Sequence, residues 1–404
     1  MNTRQSPVAG PSSPLLCVCS EIGRGHPSYL DSVLAVLDRL QAAPTSGLAH
    51  DPESAEDSGH VPRLTVPELC SGVSGLAWGL AGTAYRIGSQ GGLFTSLYNG
   101  VRPAEGRPSS LQLSILGCGV RKQLQGLEGI CLVDHPLLAH ILAPVCRVAY
   151  IHGEIAAPRA AAVPGAWRTF VPLQTTSLKL QAFGVKPEAL SVTGLLIEPD
   201  LVAAADASYQ ARLIRLESDR PLVAGLFLSG ARPRPHVSRL IACVESLARS
   251  GHRSFLFPGP GESAADDLRT AIKRRGVPED AFHVVYSRAR KDETRRTAEL
   301  LPSLDVMVAA AHERTNWAVG LGLPMFALLP HIGPFARENF EFASAQAVCI
   351  PLATTADAAT LGPALDQLRR AGRLAAMARN GWGRHAINGA AATAREILSA
   401  ITSR

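Results

Sequence analysis

Residues 304–342 decide the fold: LDVMVAAAHERTNWAVGLGLPMFALLPHIGPFARENFEF. The short apolar run from Val306 to Ala310 predicts a strand buried on both faces, and Met325 to Leu329 predicts a second one. Between them a small-residue helix ends at Gly322-Leu323-Pro324. Polar loops therefore leave two consecutive buried strands, and ligands of open parallel sheets bind at such strand ends. The helix N-termini that follow these loops favour a bound phosphate.

The composition limits the class of protein. A chain of 404 residues exceeds one ordinary core and indicates about two domains. The net charge of +6 comes from scattered arginines, which suit phosphate ligands and anionic membranes but not nucleic acid. Most of the eight cysteines stand alone, so we expect reduced core residues of a cytoplasmic protein and no metal site. No apolar run reaches the ~18 residues of a membrane span, so any membrane contact would be peripheral.

The beginning of the chain has the same strand–loop–helix organisation. Leu15 to Ser20 predicts a strand, and the loop after it contains Gly23-Arg24-Gly25-His26 before a helix starts. The full dinucleotide fingerprint is absent, because its third glycine would fall at Tyr29. Two later strands end at Asp134-His135 and at His152-Gly153-Glu154. His26 is the first candidate for a general base because of its intrinsic pKa, and the acidic and histidine side chains at these strand ends are the alternatives.

Taken in order, these motifs resemble GT-B glycosyltransferases, especially those that make monogalactosyldiacylglycerol and the murein lipid intermediate. The resemblance is carried by Gly23-Arg24-Gly25-His26, Val192-Thr193-Gly194, Asp305, Thr315, Gly322-Leu323-Pro324, Pro330 and Asn339. The chain departs from the family at two points. The glutamate that holds the ribose is missing from Asn316-Trp317-Ala318, and Ala311-His312 replaces a pair of glycines.

The resemblance implies an α/β fold of two Rossmann-like domains that face each other across a cleft. We expect the following parts: a disordered leader (1–14), an acceptor-side domain (15–205), a linker (206–220), a donor-nucleotide domain (221–380) and a helix that crosses back to the first domain (381–404).

The activity implied is transfer of a sugar from a nucleotide sugar, expected to be a UDP-sugar, to the hydroxyl of a hydrophobic or lipid acceptor, with no metal or other cofactor. His26 and Asp134 are the predicted catalytic residues. The predicted donor-binding residues are Gly23, Gly25, Ser229, Gly230, Arg232, Ser287, Arg288, His312, Glu313, Thr315, His331, Gly333 and Asn339. The predicted acceptor-binding residues are Trp78, Tyr85, His152 and Glu154.

Other interpretations stay open at this point. A nucleotide-sugar 2-epimerase would need several carboxylates in the cleft for proton removal and return, and the late loops do not show such a set. A non-catalytic nucleotide-binding protein would explain the missing ribose glutamate. The apolar stretch from Ser71 to Gly100 fits either a helix pair packed on the sheet or an acceptor groove facing a membrane.

Overall fold

The structure is a computed structural model that describes residues 14–20, 25–42, 61–70, 72–88, 106 and 108–403. Residues 1–13 of the predicted leader, Gly23 and part of the apolar stretch 71–100 lie outside these residues. The same holds for the side chain of Tyr85, although its backbone belongs to a described helix.

Two six-stranded sheets form the framework, and every strand pairs in parallel with its neighbours. The first sheet has the order β2-β1-β3-β4-β5-β6, from β1 (Leu15–Cys19), β2 (Arg63–Thr65), β3 (Ile130–Val133), β4 (Arg147–Ile151), β5 (Arg168–Val171) and β6 (Leu190–Val192). The second has the order β12-β11-β10-β7-β8-β9, from β7 (Val223–Phe227), β8 (Arg253–Phe257), β9 (Phe282–Val284), β10 (Val306–Ala309), β11 (Met325–Leu328) and β12 (Cys349–Leu352).

Helices connect these strands, as parallel sheets require. The described helices of the first half are α1 (Gly25–Ala42), α2 (Val66–Leu69), α3 (Gly72–Gly88), α4 (Ser110–Leu124), α5 (Pro136–Leu142), α6 (Gln174–Ala182) and α7 (Pro199–Ala203). Those of the second half are α8 (Ala205–Leu216), α9 (Arg234–Arg249), α10 (Glu262–Lys273), α11 (Arg290–Leu300), α12 (Thr315–Gly320), α13 (Ala336–Ala345), α14 (Thr355–Ala359), α15 (Leu361–Arg370), α16 (Arg373–Asn380) and α17 (Gly389–Thr402).

The last helix returns to the first domain, as predicted. Ala394 and Ile397 of α17 are fully buried and share a core cluster with Leu30 of α1 and Leu132 of β3. A Cβ on Gly389 would lie 2.3 Å from a backbone oxygen at the end of the first sheet, so only glycine permits this close approach. The chain therefore crosses between the two domains twice.

The charged segment before the second sheet is an integral part of the second domain. Arg212 of α8 is fully buried, and its guanidinium donates to the carbonyl oxygens of Leu304, Leu321 and Gly322 at 2.8–3.0 Å. One turn later, Arg215 pairs with the buried carboxylate of Asp305 at 2.6 Å. These bonds fix α8 against the loops that precede β10 and β11.

No helix within the described ranges is long and apolar enough to cross a membrane.

Candidate functional site

The carboxyl ends of both sheets meet at the domain interface, and Asn339 joins them. Its side-chain amide donates to Oε2 of Glu154 at 2.6 Å and to the carbonyl oxygen of Ala311 at 3.2 Å, and its oxygen accepts from the amide of Ala156 at 2.8 Å. Asn339 was predicted to bind the donor sugar. In this closed arrangement its amide instead holds the two domains together.

Glu154 is a buried carboxyl group whose proton affinity is strongly altered. Its side chain follows β4, and the residue is only 3% exposed. Burial, assisted by the nearby Glu313, raises its pKa from 4.5 to about 8, although the bond from Asn339 opposes this change. The Tyr29 hydroxyl lies beside it, and burial together with the same carboxyl groups raises the pKa of that phenol. Glu154 therefore carries a proton at neutral pH.

Further carboxyl groups lie at the interface. Glu198, Glu293 and Glu313 line one small cavity of about 20 Å³ at the interface. Arg314 is the buried cation among them, paired with Glu313 and, at 3.4 Å, with Glu293. Glu198 accepts from Trp317 Nε1 at 3.0 Å, and burial raises its pKa. The interface thus combines a protonated acid with carboxylates paired to a cation, which is the pattern of acid–base chemistry.

The two predicted catalytic residues lie on the first-domain side of the cleft. The ring of His26 is half-buried and makes edge contacts with His135, at 5.1 Å between ring centroids, and with Phe335 of the second domain, at 5.2 Å. Asp134 is fully buried and accepts from the backbone amide of Ser20 at 3.0 Å. Burial raises its pKa to about 6. His26 thus lies at the cleft, whereas Asp134 holds the end of β1.

His152, a predicted acceptor residue, is fully buried. Its Nδ1 accepts from the hydroxyl of Tyr150 at 3.0 Å, and its Nε2 donates to the carbonyl oxygen of Ala156 at 3.0 Å. Burial lowers its pKa to about 4, so the ring is neutral and fixed in one tautomer. Both ring nitrogens are used within the fold, so His152 supports the backbone around Glu154.

Trp78, which was also predicted to bind the acceptor, belongs to the core of the first domain. Its ring is buried, and Nε1 donates to the carbonyl oxygen of Leu116 at 2.9 Å. The helix-packing interpretation of this stretch therefore applies to Trp78. On the outer face of the same helix pair, α3 and α4, four apolar side chains are exposed: Leu76, Leu80, Leu111 and Ile115.

The predicted nucleotide loops of the second domain include two buried hydroxyl groups without a hydrogen-bond partner. Ser287 follows β9 and Thr315 begins α12, and both are at most 1% exposed. Nearby, Arg232 donates to the carbonyl oxygens of Pro258 and Pro260 at 3.0 and 3.3 Å, so its guanidinium ties two loops together. The roles predicted for half-buried Ser229 and exposed Gly230 and Arg288 stay predictions.

His312, His331 and Gly333 also lie on the second-domain loops. A Cβ on Gly333, whose φ is +80°, would lie 3.9 Å from Cε1 of His312. The ring of His331 packs 5.1 Å from that of Phe340. Burial lowers the pKa of both histidines. Gly25, the remaining donor prediction, is the first residue of α1.

Several residues of the interface were not predicted from the sequence: Tyr29, Glu198, Arg314 and Phe335. One feature of the sequence could have indicated Glu198. It directly follows the apolar segment Leu195–Ile197, so it is a charged residue at the end of a buried segment. Phe335 packs into a core cluster of first-domain alanines, which only the closed arrangement of the domains explains.

No protein-family model matches the chain, and no curated protein matches it either. Solved structures do match. The chain is similar to the UDP-GlcNAc 2-epimerase from Neisseria meningitidis bound to UDP-GlcNAc, with 12% identity, a TM-score of 0.55, and 96% of this chain and 100% of that chain covered. It is also similar to S. aureus MnaA in a co-structure with UDP (10% identity, TM-score 0.55, 96% and 96% covered). A third similar structure is the putative UDP-N-acetylglucosamine 2-epimerase from Listeria monocytogenes, with 14% identity, a TM-score of 0.54, and 97% of this chain and 96% of that chain covered.

These matches define the class of fold. The two parallel sheets and the likeness over almost the whole chain confirm the predicted α/β architecture of two Rossmann-like domains, the GT-B fold. They do not support the closer resemblance to the synthases of monogalactosyldiacylglycerol and the murein intermediate. At 10 to 14% identity the likeness concerns the fold, and function has to be argued from the site.

Proposed function

We propose that this protein is a nucleotide-sugar 2-epimerase, which inverts the configuration at carbon 2 of a UDP-linked sugar. Two lines of support lead to this choice over glycosyl transfer. Two of the three solved structures described above, which share the fold, carry the names of UDP-GlcNAc 2-epimerases. In addition, such a reaction needs several carboxyl groups, and these are present where the first domain meets the second. The loops of the second domain alone did not supply them.

The burial of Glu154 at the domain interface, beside Glu313 and Asn339, is the observation that carries the proposal. A transferase needs a base for the acceptor hydroxyl, and a buried acid with a pKa of about 8 is a poor base at neutral pH. An epimerase needs an acid that returns a proton, and a second group that removes one. Glu154 and the neighbouring Glu313, which is paired with Arg314, fit these two roles.

Inversion at carbon 2 requires its hydrogen to leave as a proton, which is feasible when a bond to carbon 1 breaks at the same time. In the proposed sequence, the base takes the proton, the bond from carbon 1 to the diphosphate oxygen breaks, and a double bond forms between carbons 1 and 2. The diphosphate then bonds to carbon 1 again, while Glu154 delivers a proton to the opposite face of carbon 2. In the reverse reaction the two carboxyl groups exchange roles.

The nucleotide part of the substrate is assigned to the loops of the second domain. The unpartnered hydroxyls of Ser287 and Thr315 are buried groups that a ligand can satisfy, since an orphaned buried hydroxyl is costly. The backbone around Gly333 and the N-terminus of α13 provide N–H groups for phosphate oxygens. The proposed chemistry needs no metal and no further cofactor.

Proton exchange tests the proposal directly. The protein is incubated with UDP-GlcNAc in D₂O, and proton NMR follows the hydrogen on carbon 2. We expect this signal to disappear and a second UDP-sugar, epimeric at carbon 2, to accumulate. Glu154→Gln should lower the rate by a factor of about 10² to 10⁴, the usual contribution of one acid–base group. Glu338→Gln, a matched change of an interface carboxylate outside the buried cluster, should retain the rate within a few-fold. If the wild-type protein leaves the carbon 2 hydrogen in place, the proposal is wrong.

Glycosyl transfer to a lipid acceptor is the second candidate, and one observation favours it. The exposed apolar side chains Leu76, Leu80, Leu111 and Ile115 form adjacent pairs on α3 and α4, a surface that suits a lipid or the face of a membrane. Incubation with a UDP-sugar labelled in the sugar, together with lipid vesicles, separates the two candidates. Label in the lipid extract would favour transfer, whereas label that stays in UDP-linked sugars favours epimerisation.

A further inference from the structure

A groove lies at the outer edge of the second sheet, and the reaction proposed above does not use it. β12 is the last strand of that sheet, so one of its sides pairs with β11 and the other has no partner among the described strands. The groove is formed by β12, α13, α15 and the start of α16, and its volume is about 850 Å³. Pockets of about 300 to 1,000 Å³ are the usual size for small-molecule ligands. We call this cavity the edge groove.

α15 lines the edge groove along its whole length. Its lining residues, with the one on either side of the helix, are Thr360, Leu361, Ala364, Gln367, Leu368 and Ala371. They recur at spacings of three and four, so they form one stripe on the helix surface. From 360 to 371 this stripe is about 16 Å long, because each helical residue adds about 1.5 Å. The edge groove is therefore long enough for an extended chain.

The remaining lining of the edge groove is mostly apolar. It includes Phe326 of β11, Phe340 of α13 and Leu352 of β12. Ser344 of α13 is a polar exception, and its hydroxyl oxygen is buried with no hydrogen-bond partner in the described part of the chain. A buried hydroxyl without a partner is costly, and a bound ligand with a polar group can satisfy it. This lining suits a ligand with an apolar body and a polar group.

The edge strand is a poor template for an added peptide strand. The carbonyl oxygens of Val348 and Leu352 accept from β11, so by alternation the backbone of Pro351 faces the free side of β12. Proline has no N–H group to donate to a further strand. Proline on an edge strand is one of the usual protections against such pairing. A small molecule therefore fits the edge groove better than an extended peptide does.

The charges at the two ends of the edge groove favour an anion. Asp357, at one end, already accepts from the backbone amide of Thr354 at 2.8 Å, and the positive charge of Arg239 acts on it. Arg373, at the other end, is exposed and belongs to no ion pair within the described ranges. It is the first residue of α16, whose first turn contains no acidic residue, so the positive end of the helix adds to its charge.

We propose that the edge groove binds a free single-chain carboxylate of the fatty-acid type, with its chain along α15 and its carboxylate on Arg373. One guanidinium pairs well with one carboxylate. The inference goes beyond the proposed function and does not depend on it, because all the lining residues belong to the second domain. Phe340 and Ser344 line the edge groove, whereas Asn339 bonds to Glu154, so the two sites contact different sides of α13.

Isothermal titration calorimetry with dodecanoate tests the proposal on the full-length protein. Its extended chain is about as long as the stripe on α15, and it is used below the concentration at which it forms micelles. We expect one saturable site per chain. Dodecyltrimethylammonium has the opposite charge on the same chain and should bind at least about tenfold more weakly. No saturable binding of dodecanoate, or equal binding of the two compounds, would overturn the inference.

Substitutions at the charged end test the position of the carboxylate. Arg373→Gln should raise the Kd for dodecanoate about tenfold, because a charge-assisted hydrogen bond is lost. Arg370→Gln is the matched control, because this exposed arginine of α15 does not line the edge groove. Its Kd should stay within about twofold of the wild type, since solvent and salt screen an exposed charge. An equal effect of the two substitutions contradicts the assignment of the carboxylate to Arg373.

A further pair of substitutions tests the position of the chain. Ala364→Phe, in the middle of the stripe, should abolish binding by filling the edge groove, and circular dichroism checks that this variant folds. Leu80→Gln changes the separate apolar surface on α3 and should leave binding unchanged. If Leu80→Gln abolishes binding while folded Ala364→Phe retains it, the ligand lies on the first domain and the proposal is wrong. If Ala364→Phe does not fold, the two arginine variants and the headgroup comparison decide the question.

Discussion

The raised pKa of Glu154 makes a quantitative prediction about stability. In the unfolded chain this carboxyl group ionises near pH 4.5, whereas in the folded protein it ionises near pH 8. Between these values the folded state holds a proton that the unfolded state has lost. The free energy of unfolding must therefore fall as pH rises through this window, and this contribution is fully present only below about pH 4.5.

The size of the effect follows from the shift. A change of about 3.5 pKa units corresponds to about 5 kcal/mol in total, because each unit is worth about 1.4 kcal/mol. Between about pH 5.5 and 8, a range that is convenient for experiments, the free energy of unfolding should fall by about 3 kcal/mol through this group. Glutamine resembles the protonated acid, and its oxygen can accept the same bond from Asn339. The Glu154→Gln variant should therefore lack this loss.

Urea unfolding at several pH values, followed by tryptophan fluorescence, measures the difference between the two proteins. The variant should match the wild type within about 1 kcal/mol near pH 5 and exceed it by several kcal/mol near pH 8. Glu338→Gln should show no such divergence, because this carboxylate is only half-buried and lies outside the buried group of carboxyls. If the curves of wild type and Glu154→Gln run parallel within about 0.5 kcal/mol, Glu154 is ionised in the folded protein, and the acid of the proposed reaction is lost.

Three further predictions concern the interface and the core. Arg212→Met should lower the free energy of unfolding by about 3–5 kcal/mol in urea titrations, because three buried carbonyl oxygens lose their donor. Gly389→Ala should lower the melting temperature, because its Cβ would lie 2.3 Å from a backbone oxygen. Gly79→Ala in α3 is the contrasting change: the space around this glycine is open, so the free energy of unfolding should rise by about 0.5–1 kcal/mol. Asn339→Ala removes the bond that opposes the raised pKa of Glu154, so the fall of epimerisation rate at high pH should move to higher pH.

The parts of the fold that come from local pattern could be predicted from the sequence. The apolar runs around Val306 and Met325 are strands β10 and β11, each buried at every position, as a parallel sheet covered by helices on both faces requires. The two-domain division follows from the same alternation of strands and helices, whereas the crossing helix was predicted from the resemblance to GT-B glycosyltransferases. The strands and their alternation with helices depend on residues that are close in sequence, so a short stretch of sequence is enough to predict them.

The site was predictable only in part, because its key contacts join distant residues. Strand-end reasoning found Glu154 and the resemblance to glycosyltransferases found Asn339, but the two were assigned to opposite substrates. Their bond spans 185 positions and joins the two domains. Arg212 shows the same limit: charge predicts exposure, yet this guanidinium is buried because carbonyl oxygens from loops about 90 and 110 residues away surround it.

The two groups of titratable residues follow from one property of parallel sheets. The first sheet brings Glu154 to its carboxyl edge, and the second brings His236, His312 and His331 to its own, so titratable side chains lie on both sides of the interface. Asn339 lies in the helix that follows the loop around His331, and it is bonded to Glu154. A change in the position of this loop would therefore alter the bond to Glu154, and with it the proton affinity of this carboxyl group. In the proposed epimerisation, proton transfer by Glu154 would thus depend on the contact between the two domains that Asn339 makes.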